Sequence, residues 1–377
     1  MQHSFDIAVI GAGIAGASVA AELADDARVA LIEMEAQPGY HTTGRSAAVF
    51  APIYGPAPIR ALTRASEAFF TSPPRGFAAA PLVSPRGILM IARADQEASL
   101  DALLSEVGGA ASVSRLDEPA VLSVNPLVRP GYAKWAMQDS NGQDIDVAAL
   151  HQGYLKRFKA LGGTVMTRRE VMGLDRTGAK WTVHLRDTSL AADIVVNAAG
   201  AWADHVAALA GIPPVGLTPK RRTAAIIAAP QDMATDGLPI TIDIDESFYL
   251  KPDAGRLLIS PADETPTAPC DAQPEEFDIA LCVDRIETAF DLSVRRIENK
   301  WAGLRSFVAD KCPVAGYAGN DTGFFWLAGQ GGYGIQSAPA LARTAAALVM
   351  RRPLPPDIAD EGVRAEDLSP ARLAVPA

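Results

Sequence analysis

Residues 6–16 read DIAVIGAGIAG, an apolar run that leads directly into glycines spaced as G-x-G-x-x-G. The pattern predicts a buried strand over 6–10, a tight glycine turn and a helix over 17–24. A second apolar run over 29–32 follows and ends on Glu33. A strand, a glycine turn, a helix and a second strand that ends on an acid form the fingerprint of a dinucleotide site. These residues therefore predict a Rossmann-like α/β domain.

Each residue of this fingerprint has a predicted role. Gly11 allows the tight turn, Gly13 lets the backbone approach a pyrophosphate, and Gly16 lets the helix pack closely on the strand. The helix N-terminus offers amide groups and partial positive charge to phosphates. Glu33 is expected to accept hydrogen bonds from an adenosine ribose and to disfavour NADP. A structural glycine-rich turn is one alternative interpretation, and the strand, the helix and the acid around the glycines argue against it. A signal peptide is the other, and Asp6, the absence of Lys and Arg before it and the glycines argue against it.

Composition narrows the possible classes of protein. The 377 residues are 49% hydrophobic and 21% charged, which is enough for two lobes with a sizeable core. The 34 Lys and Arg against 44 Asp and Glu give a charge of −10, which argues against nucleic acid as a partner. No apolar run reaches the roughly 18 residues of a transmembrane helix. Three dispersed cysteines and five histidines without ligand spacing predict a reduced, cytoplasmic protein without a metal site, free or peripheral to the inner membrane.

The chain is predicted to form two domains. The nucleotide-binding domain comprises residues 1–48, 146–216 and 302–377, and two insertions, 49–145 and 217–301, build a mixed-sheet α+β domain for the substrate. The predicted helices cover residues 59–70, 95–107, 117–122, 147–160, 203–210, 279–289 and 338–350. The predicted strands include residues 82–83, 88–91, 132–137, 164–166, 170–174, 181–185, 223–228, 248–250, 257–259 and 324–328.

Three further stretches contain the small residues that let a backbone approach a nucleotide. Residues 34–48 form a loop with a predicted helix start near Ser46, residues 194–202 form a buried strand that ends on small residues, and residues 329–336 contain four glycines. An ordinary capped helix and close strand–helix packing are the alternative interpretations of the first two. Tyr54 stands on a proline-rich loop, which predicts either a lid over a ligand or an aromatic packed on the surface.

Taken in chain order, these motifs resemble the D-amino acid oxidase superfamily of FAD enzymes, which oxidise amines. The runs are GAGIAG (11–16) with Glu33, TGRS (43–46), NAAGAW (197–202) and QGGYGIQ (330–336). Longer runs are similar to the bacterial D-arginine dehydrogenases: PGYH (38–41), PKRR (219–222), ESFYLKPDAG (246–255) and WAGLRSFVAD (301–310). The resemblance covers nearly the whole chain and implies non-covalent FAD.

The resemblance implies a role for each matching residue. Arg222 and Arg305 would grip a substrate carboxylate, Tyr249 would hydrogen-bond the substrate, Tyr54 would close a loop over it, and Gly332 would offer a carbonyl to its amine. The implied reaction passes a hydride from Cα to flavin N5, and the imino acid hydrolyses to a 2-oxo acid and ammonia. The implied FAD-binding residues are Gly11, Gly13, Ile14, Ala15, Gly16, Glu33, Met34, Thr42, Thr43, Gly44, Arg45, Ser46, Ala47, Ala48, Val171, Ala199, Gly200, Trp202, Gly331, Gly332, Tyr333, Gly334, Ile335 and Gln336.

Two positions depart from the D-arginine enzymes. Ile88 or its neighbour replaces a glutamate that would pair with the substrate guanidinium, and Val49 replaces a histidine. A buried guanidinium without its carboxylate costs roughly 3–5 kcal/mol. We therefore expect neutral or apolar D-amino acids as substrates, unless another acid such as Glu67 compensates. Sarcosine-oxidising relatives attach FAD through a cysteine near this C-terminal region, and Cys312 is the one candidate but stands after the attachment point.

Several functions remain open at this stage. The resemblance implies a D-amino acid dehydrogenase with a quinone or another carrier as acceptor, although no motif decides between dehydrogenase and oxidase. Oxidation of a secondary amine or imino acid, such as sarcosine or D-proline, would use the same pocket. A non-catalytic flavin-binding subunit of an amine dehydrogenase complex would not need the two arginines. An NAD-dependent dehydrogenase would leave the C-terminal glycine-rich loop unexplained.

Overall fold

The computed structural model describes residues 3–107, 109–319 and 323–373. Its first sheet has eight strands and is built around the glycine fingerprint. Strand His3–Ile10 lies between Val29–Ile32 and Ser189–Asn197 and runs parallel to both. The other strands of this sheet are Thr164–Met166, Val171–Thr177, Lys180–Leu185, Val314–Tyr317 and Phe324–Ala328. All four residues of Val29–Ile32 are buried, as expected for a strand covered on both faces.

Helices cover both faces of this sheet. Helix Ile14–Leu23 packs with Val147–Ala160 and Ala338–Val349 on one side, and Ala203–Leu209 lies on the other. The predicted cap of the second helix is confirmed, because the Asp146 carboxylate accepts a hydrogen bond from the Ala149 amide at 2.8 Å. The arrangement is the predicted Rossmann-like α/β domain.

The second sheet has nine strands. It is mainly antiparallel, and strands Ile88–Ala92 and Ile240–Asp243 form a parallel pair within it. Its other strands are Val113–Asp117, Trp135–Asp139, Thr218–Ala228, Tyr249–Asp253, Arg256–Ser260, Thr265–Pro266 and Asn299–Phe307. Helices Glu118–Val124 and Glu276–Ala289 cover one face, and helix Glu97–Val107 and the segment 47–54 pack on the opposite face.

Smaller elements complete the fold. Strands Val49–Phe50, Val83–Pro85 and Gln143–Ile145 form a three-stranded sheet. The remaining helices are Ala57–Thr71, Glu97–Val107, Pro356–Ala359 and Ala365–Leu368, with 3-10 turns at Thr43–Arg45, Ala94–Gln96, Gly200–Trp202 and Pro370–Leu373. Within the three described ranges, no helix combines the length and apolar character needed to cross a membrane.

Two sequence-based boundaries need correction. The domain boundary predicted at residue 302 falls inside strand Asn299–Phe307, which pairs with Thr218–Ala228 along its whole length. We therefore propose that the substrate domain extends to Phe307. The strand predicted over 132–137 covers Trp135–Asp139, because the Tyr132 amide closes a turn with the carbonyl of residue 129.

Candidate active site

The glycine fingerprint brings three chain segments closer together than a side chain allows. Gly11 has φ +97°, and a Cβ there would lie 2.4 Å from the Ala198 carbonyl oxygen. A Cβ on Gly16 would lie 1.8 Å from the Gly11 carbonyl oxygen. These contacts place the helix and the end of strand Ser189–Asn197 directly against the turn, which is the close packing that the fingerprint predicts.

The predicted ribose-binding acid is held rigidly at the wall of a cavity. Glu33 is buried, and its two carboxylate oxygens accept hydrogen bonds from the amides of Ala12 (2.9 Å) and Glu35 (2.8 Å). Each oxygen keeps a further lone pair for a hydroxyl donor. The cavity beside it measures about 460 Å³ and is also lined by Gly11, Gly13, Met34, Thr42, Thr43, Val171, Ala199, Gly200 and Trp202. This cavity fits the adenosine end of a dinucleotide.

The loop after Glu33 does not begin a helix, so the helix start predicted near Ser46 is wrong. Residues Thr43–Arg45 form a single 3-10 turn, and the chain then extends into strand Val49–Phe50. The hydroxyl of Thr43 accepts a hydrogen bond from the Ile14 amide at 3.0 Å, so it caps the fingerprint helix instead of a helix of its own. The hydroxyl of Thr42 donates to the Leu304 carbonyl at 2.7 Å and fixes the loop to the second domain.

A second cavity of about 130 Å³ connects this region to the C-terminal glycine-rich loop. Two buried polar atoms of its lining have no hydrogen-bond partner in the described structure, Ser306 Oγ and Gln330 Nε2. In the neighbouring cavity, which is described below as the substrate pocket, Gln336 Nε2 also has no partner among the described residues. Buried polar atoms without partners are costly and point to a missing polar group. The lining of this second cavity also contains eight of the predicted FAD-binding residues: Ile14, Ala15, Arg45, Ser46, Ala47, Gly331, Gly334 and Ile335. These residues therefore fit the middle of an extended cofactor.

The third cavity is the candidate substrate pocket, with a volume of about 380 Å³. Ile88 and Val49, the two departures from the D-arginine enzymes, both line it. The other apolar residues of the wall are Ile53, Met90, Leu103, Ile240, Ile242 and Ile244. Glu67 is exposed on helix Ala57–Thr71 and is not among the lining residues, so it does not compensate for the missing glutamate.

Arg222 and Arg305 meet at one end of this pocket, as the resemblance implies. They lie on paired antiparallel strands in which Arg222 faces Gly303, so Arg305 is its diagonal neighbour on the same face. The Nε of Arg222 donates to the Asp263 carbonyl at 2.9 Å, and its Nη2 lies 3.2 Å from a Glu264 carboxylate oxygen. Burial and the positive charge of Arg305 lower the pKa of Arg222.

Arg305 differs from Arg222, because no described residue forms a hydrogen bond or an ion pair with its side chain. Within the described residues its guanidinium makes no hydrogen bond or ion pair, although it lines the substrate pocket. Burial opposes its charge, but Tyr249, Tyr54 and Glu246 outweigh this and raise the pKa of Arg305. A Cβ on Gly332 would lie 3.0 Å from Arg305 Nη1, so this glycine gives the guanidinium room. Arg305 is therefore a cation that lines the pocket and, among the described residues, forms no direct ion pair.

Tyr54 lines the pocket and is held by a residue that the sequence analysis missed. Its hydroxyl donates to a carboxylate oxygen of Glu246 at 2.9 Å, and its ring packs edge-on against Tyr333 at 5.1 Å between centroids. Burial, with the nearby Glu246 charge, raises the pKa of Tyr54 well above its usual value, so the phenol stays protonated. Glu246 stands in a turn with φ +55°, and no sequence pattern connects it to the loop of Tyr54. Tyr249 lines the same pocket.

Most of the predicted site residues therefore converge on three adjoining cavities. Ala48, Tyr333 and Gln336 line the substrate pocket rather than either cofactor cavity. Gly16 and Gly44 line none of the cavities and act through close packing, since a Cβ on Gly44 would lie 2.7 Å from the Gly39 carbonyl oxygen.

Comparison with known proteins agrees with this geometry. A family model described as DAO, FAD dependent oxidoreductase, matches residues 6–348. The chain belongs to this family. It is an FAD-dependent oxidoreductase, and membership of the D-amino acid oxidase superfamily, the Rossmann-like fold and the FAD cofactor are confirmed.

Individual relatives are distant. Glycine oxidase from Geobacillus kaustophilus (strain HTA426) is 23% identical over 95% of this chain and 96% of its own length. The crystal structure of glycine oxidase from Geobacillus kaustophilus superposes with a TM-score of 0.80, at 22% identity over 93% of this chain and 96% of that chain. L-α-glycerophosphate oxidase from Mycoplasma pneumoniae, with FAD bound, gives a TM-score of 0.83 at 18% identity over 93% of this chain and 95% of that one.

A further match is partial. FAD-dependent oxidoreductase domain-containing protein 1 from Xenopus laevis is 28% identical over 44% of this chain, and the match spans 36% of that protein. The comparisons show the family and the fold.

Proposed function

We propose that the protein catalyses the FAD-dependent oxidative deamination of neutral or apolar D-amino acids to 2-oxo acids and ammonia. One observation carries the proposal: the guanidinium of Arg305 has no partner in the described structure, and it lines a pocket whose remaining wall is mainly apolar. An unpaired cation calls for an anion, and the planar fork of arginine matches a carboxylate in two parallel hydrogen bonds.

Arg222 would complete the carboxylate site from the adjacent strand. The Asp263 carbonyl and the Glu264 carboxylate already hold its Nε and Nη2, so the guanidinium is oriented before a substrate arrives. Fixed donors lose little freedom on binding, which favours one orientation of the substrate. With the carboxylate held at this end, Tyr249 and the Gly332 carbonyl would contact the amino group and the region around Cα.

The side chain of the substrate would then face the apolar wall. Ile88 and Val49 form part of that wall, and they offer no charge to a guanidinium or an ammonium group. An unpaired cation there would cost roughly 3–5 kcal/mol, which corresponds to about a hundred- to several-thousand-fold weaker binding. Pairing with Glu246 would not remove this penalty without a cost of its own, because the Glu246 carboxylate already accepts the hydrogen bond of Tyr54.

The protein's own contribution is to orient the substrate and exclude water. When bound, the flavin supplies the acceptor for the two electrons that the amino acid loses. Tyr54, held by its bond to Glu246 and its contact with Tyr333, would cover the pocket and keep bulk water away from the reacting carbon. No side-chain base is needed when the substrate amine arrives neutral.

Other parts of the proposal rest on the sequence resemblance. The D configuration and a quinone or another carrier as electron acceptor are implied by the similarity to D-arginine dehydrogenases. Non-covalent attachment of FAD is supported by Cys312, which is buried and is absent from the residues that line the three cavities. Acid precipitation tests this point, because a covalent flavin would remain in the protein pellet.

A steady-state panel tests the proposed substrate class. The purified flavoprotein is assayed with an artificial electron acceptor and D-leucine, D-methionine, D-arginine, L-leucine, glycine or sarcosine, and ammonia release is measured in parallel. We expect turnover with D-leucine and D-methionine at least a hundredfold more efficient than with D-arginine. A clear preference for D-arginine, L-leucine or sarcosine would contradict the proposed substrate class.

A further inference from the structure

Two oppositely charged side chains lie on the otherwise apolar part of the substrate pocket. Arg60 belongs to helix Ala57–Thr71, and Glu106 belongs to helix Glu97–Val107. Both line the pocket. Its described lining contains three other charged residues, namely Glu246 and the two arginines of the proposed carboxylate site. Neither took part in the sequence analysis or in the proposed reaction.

The two residues form an ion pair that also holds the loop of Tyr54, the proposed lid. Arg60 Nη1 lies 2.5 Å from a Glu106 carboxylate oxygen and donates to the Gly55 carbonyl at 3.0 Å. Gly55 directly follows Tyr54, so Arg60 holds the loop that would cover the pocket. The Arg60 side chain is 18% exposed and that of Glu106 is 55% exposed. The pair therefore stands where the pocket reaches solvent.

We propose that the Arg60–Glu106 pair sets the charge preference for the substrate side chain, an inference that rests on the proposed amino acid oxidation. While paired, the two charges cancel, and a charged side-chain end would have to break the pair before gaining a partner. A neutral side chain meets no such cost. Removal of one member leaves the other as an unpaired charge beside the apolar wall, ready to bind a side chain of opposite sign.

This arrangement makes a reciprocal prediction. Glu106→Gln would free Arg60 and favour an acidic side chain, whereas Arg60→Met would free Glu106 and favour a basic one. A general loosening of the pocket would instead change all substrates in the same direction. Glu106→Gln keeps the contact between Arg60 and the Gly55 carbonyl, so it tests charge preference with the lid contact in place.

The experiment measures kcat/KM for D-leucine, D-glutamate and D-arginine in the flavin-loaded wild type and four variants. We expect Glu106→Gln to raise the D-glutamate to D-leucine ratio at least tenfold, and Arg60→Met to raise the D-arginine to D-leucine ratio at least tenfold. Arg60→Lys, which preserves the pair, should change either ratio by less than threefold. The double variant Arg60→Met with Glu106→Gln should show neither preference.

The outcomes separate this inference from the proposed function. Two results would overturn the role of the pair while leaving the proposed function intact, provided that D-leucine is turned over. One is an unchanged D-glutamate to D-leucine ratio in Glu106→Gln, and the other is a shift of both single variants in the same direction. Absence of turnover with all three amino acids in the wild type would overturn the proposed function and this inference together. If Arg60→Met does not fold, the acidic shift in Glu106→Gln still decides the question.

Discussion

Replacement of Arg305 by methionine should weaken substrate binding without weakening the fold. In the free protein the Arg305 guanidinium has no hydrogen bond or ion pair within the described residues, so methionine removes no stabilising polar contact. Burial of the charge is costly, but the nearby Glu246 carboxylate and the tyrosines offset that cost, so removal of the charge should change the free energy of unfolding little. We therefore expect the melting temperature of Arg305→Met to stay close to that of the wild type.

The loss in binding follows from the contact that the substrate would make. Truncation of one partner of an enclosed, hydrogen-bonded charge pair costs about 2–5 kcal/mol, or roughly 30- to 5,000-fold in affinity. Arg222 remains, but Asp263 and Glu264 already use two of its nitrogens, so it replaces only part of the clamp. Arg305→Lys keeps the charge and loses the two parallel bonds, and it should fall between the wild type and Arg305→Met.

Anaerobic stopped-flow reduction of the flavin by D-leucine separates these effects. The dependence of the rate on D-leucine concentration gives the apparent Kd and the limiting rate, and thermal unfolding gives the stability. We expect a Kd raised at least 30-fold in Arg305→Met, with the flavin spectrum before mixing unchanged. An unchanged Kd, or a lowered melting temperature with weakened flavin binding, would refute the assignment of Arg305 as the carboxylate site.

Three further predictions follow from other contacts. Ile88→Glu should place an acid on the apolar wall and raise the kcat/KM ratio of D-arginine to D-leucine at least tenfold, and an unchanged ratio would show that Ile88 does not face the substrate. Asp271 pairs with Arg45 across the two domains, so Asp271→Asn should speed FAD release, measured by the recovery of flavin fluorescence, and an unchanged release rate would show that this contact does not retain FAD. Burial lowers the pKa of His151, whose ring nitrogen lies 2.9 Å from the Ala12 carbonyl, so its contribution to stability is present above about pH 6.5 and falls as the pH drops below that value. Unfolding measured from pH 7.5 to 5 should show this loss in the wild type and a smaller loss in His151→Gln, and equal slopes would contradict it.

The parts of the site that depend on local sequence could be predicted. A Cβ on Gly16 would meet the carbonyl oxygen of Gly11 only five residues earlier, so the spacing of these glycines alone indicated the close packing that the structure shows. The cap at Asp146 was equally local. The role of Thr43 could not be predicted in this way, because its hydroxyl caps the helix that begins at Ile14, 29 residues earlier. That hydroxyl is therefore not available to cap a helix near Ser46.

The substrate pocket depends on contacts between distant parts of the chain. Tyr54 and Glu246 are 192 residues apart, and Arg60 and Glu106 are 46 residues apart on two separate helices. All five residues of strand Ile88–Ala92 are buried, so no alternation of polar and apolar residues reveals which of them faces the pocket. The resemblance to known enzymes pointed to the position of Ile88, and physical patterning alone did not.

Anaerobic mixing of the purified yellow protein with D-leucine, L-leucine and D-arginine tests the central claim most directly. Loss of flavin absorbance reports electron transfer from the amino acid without any assumption about the natural acceptor. The account predicts rapid bleaching by D-leucine, none by L-leucine and at least a hundredfold slower bleaching by D-arginine at equal concentration. Bleaching by D-arginine or L-leucine without bleaching by D-leucine would contradict the proposed pocket, and an unreduced flavin with all three would contradict the proposed reaction.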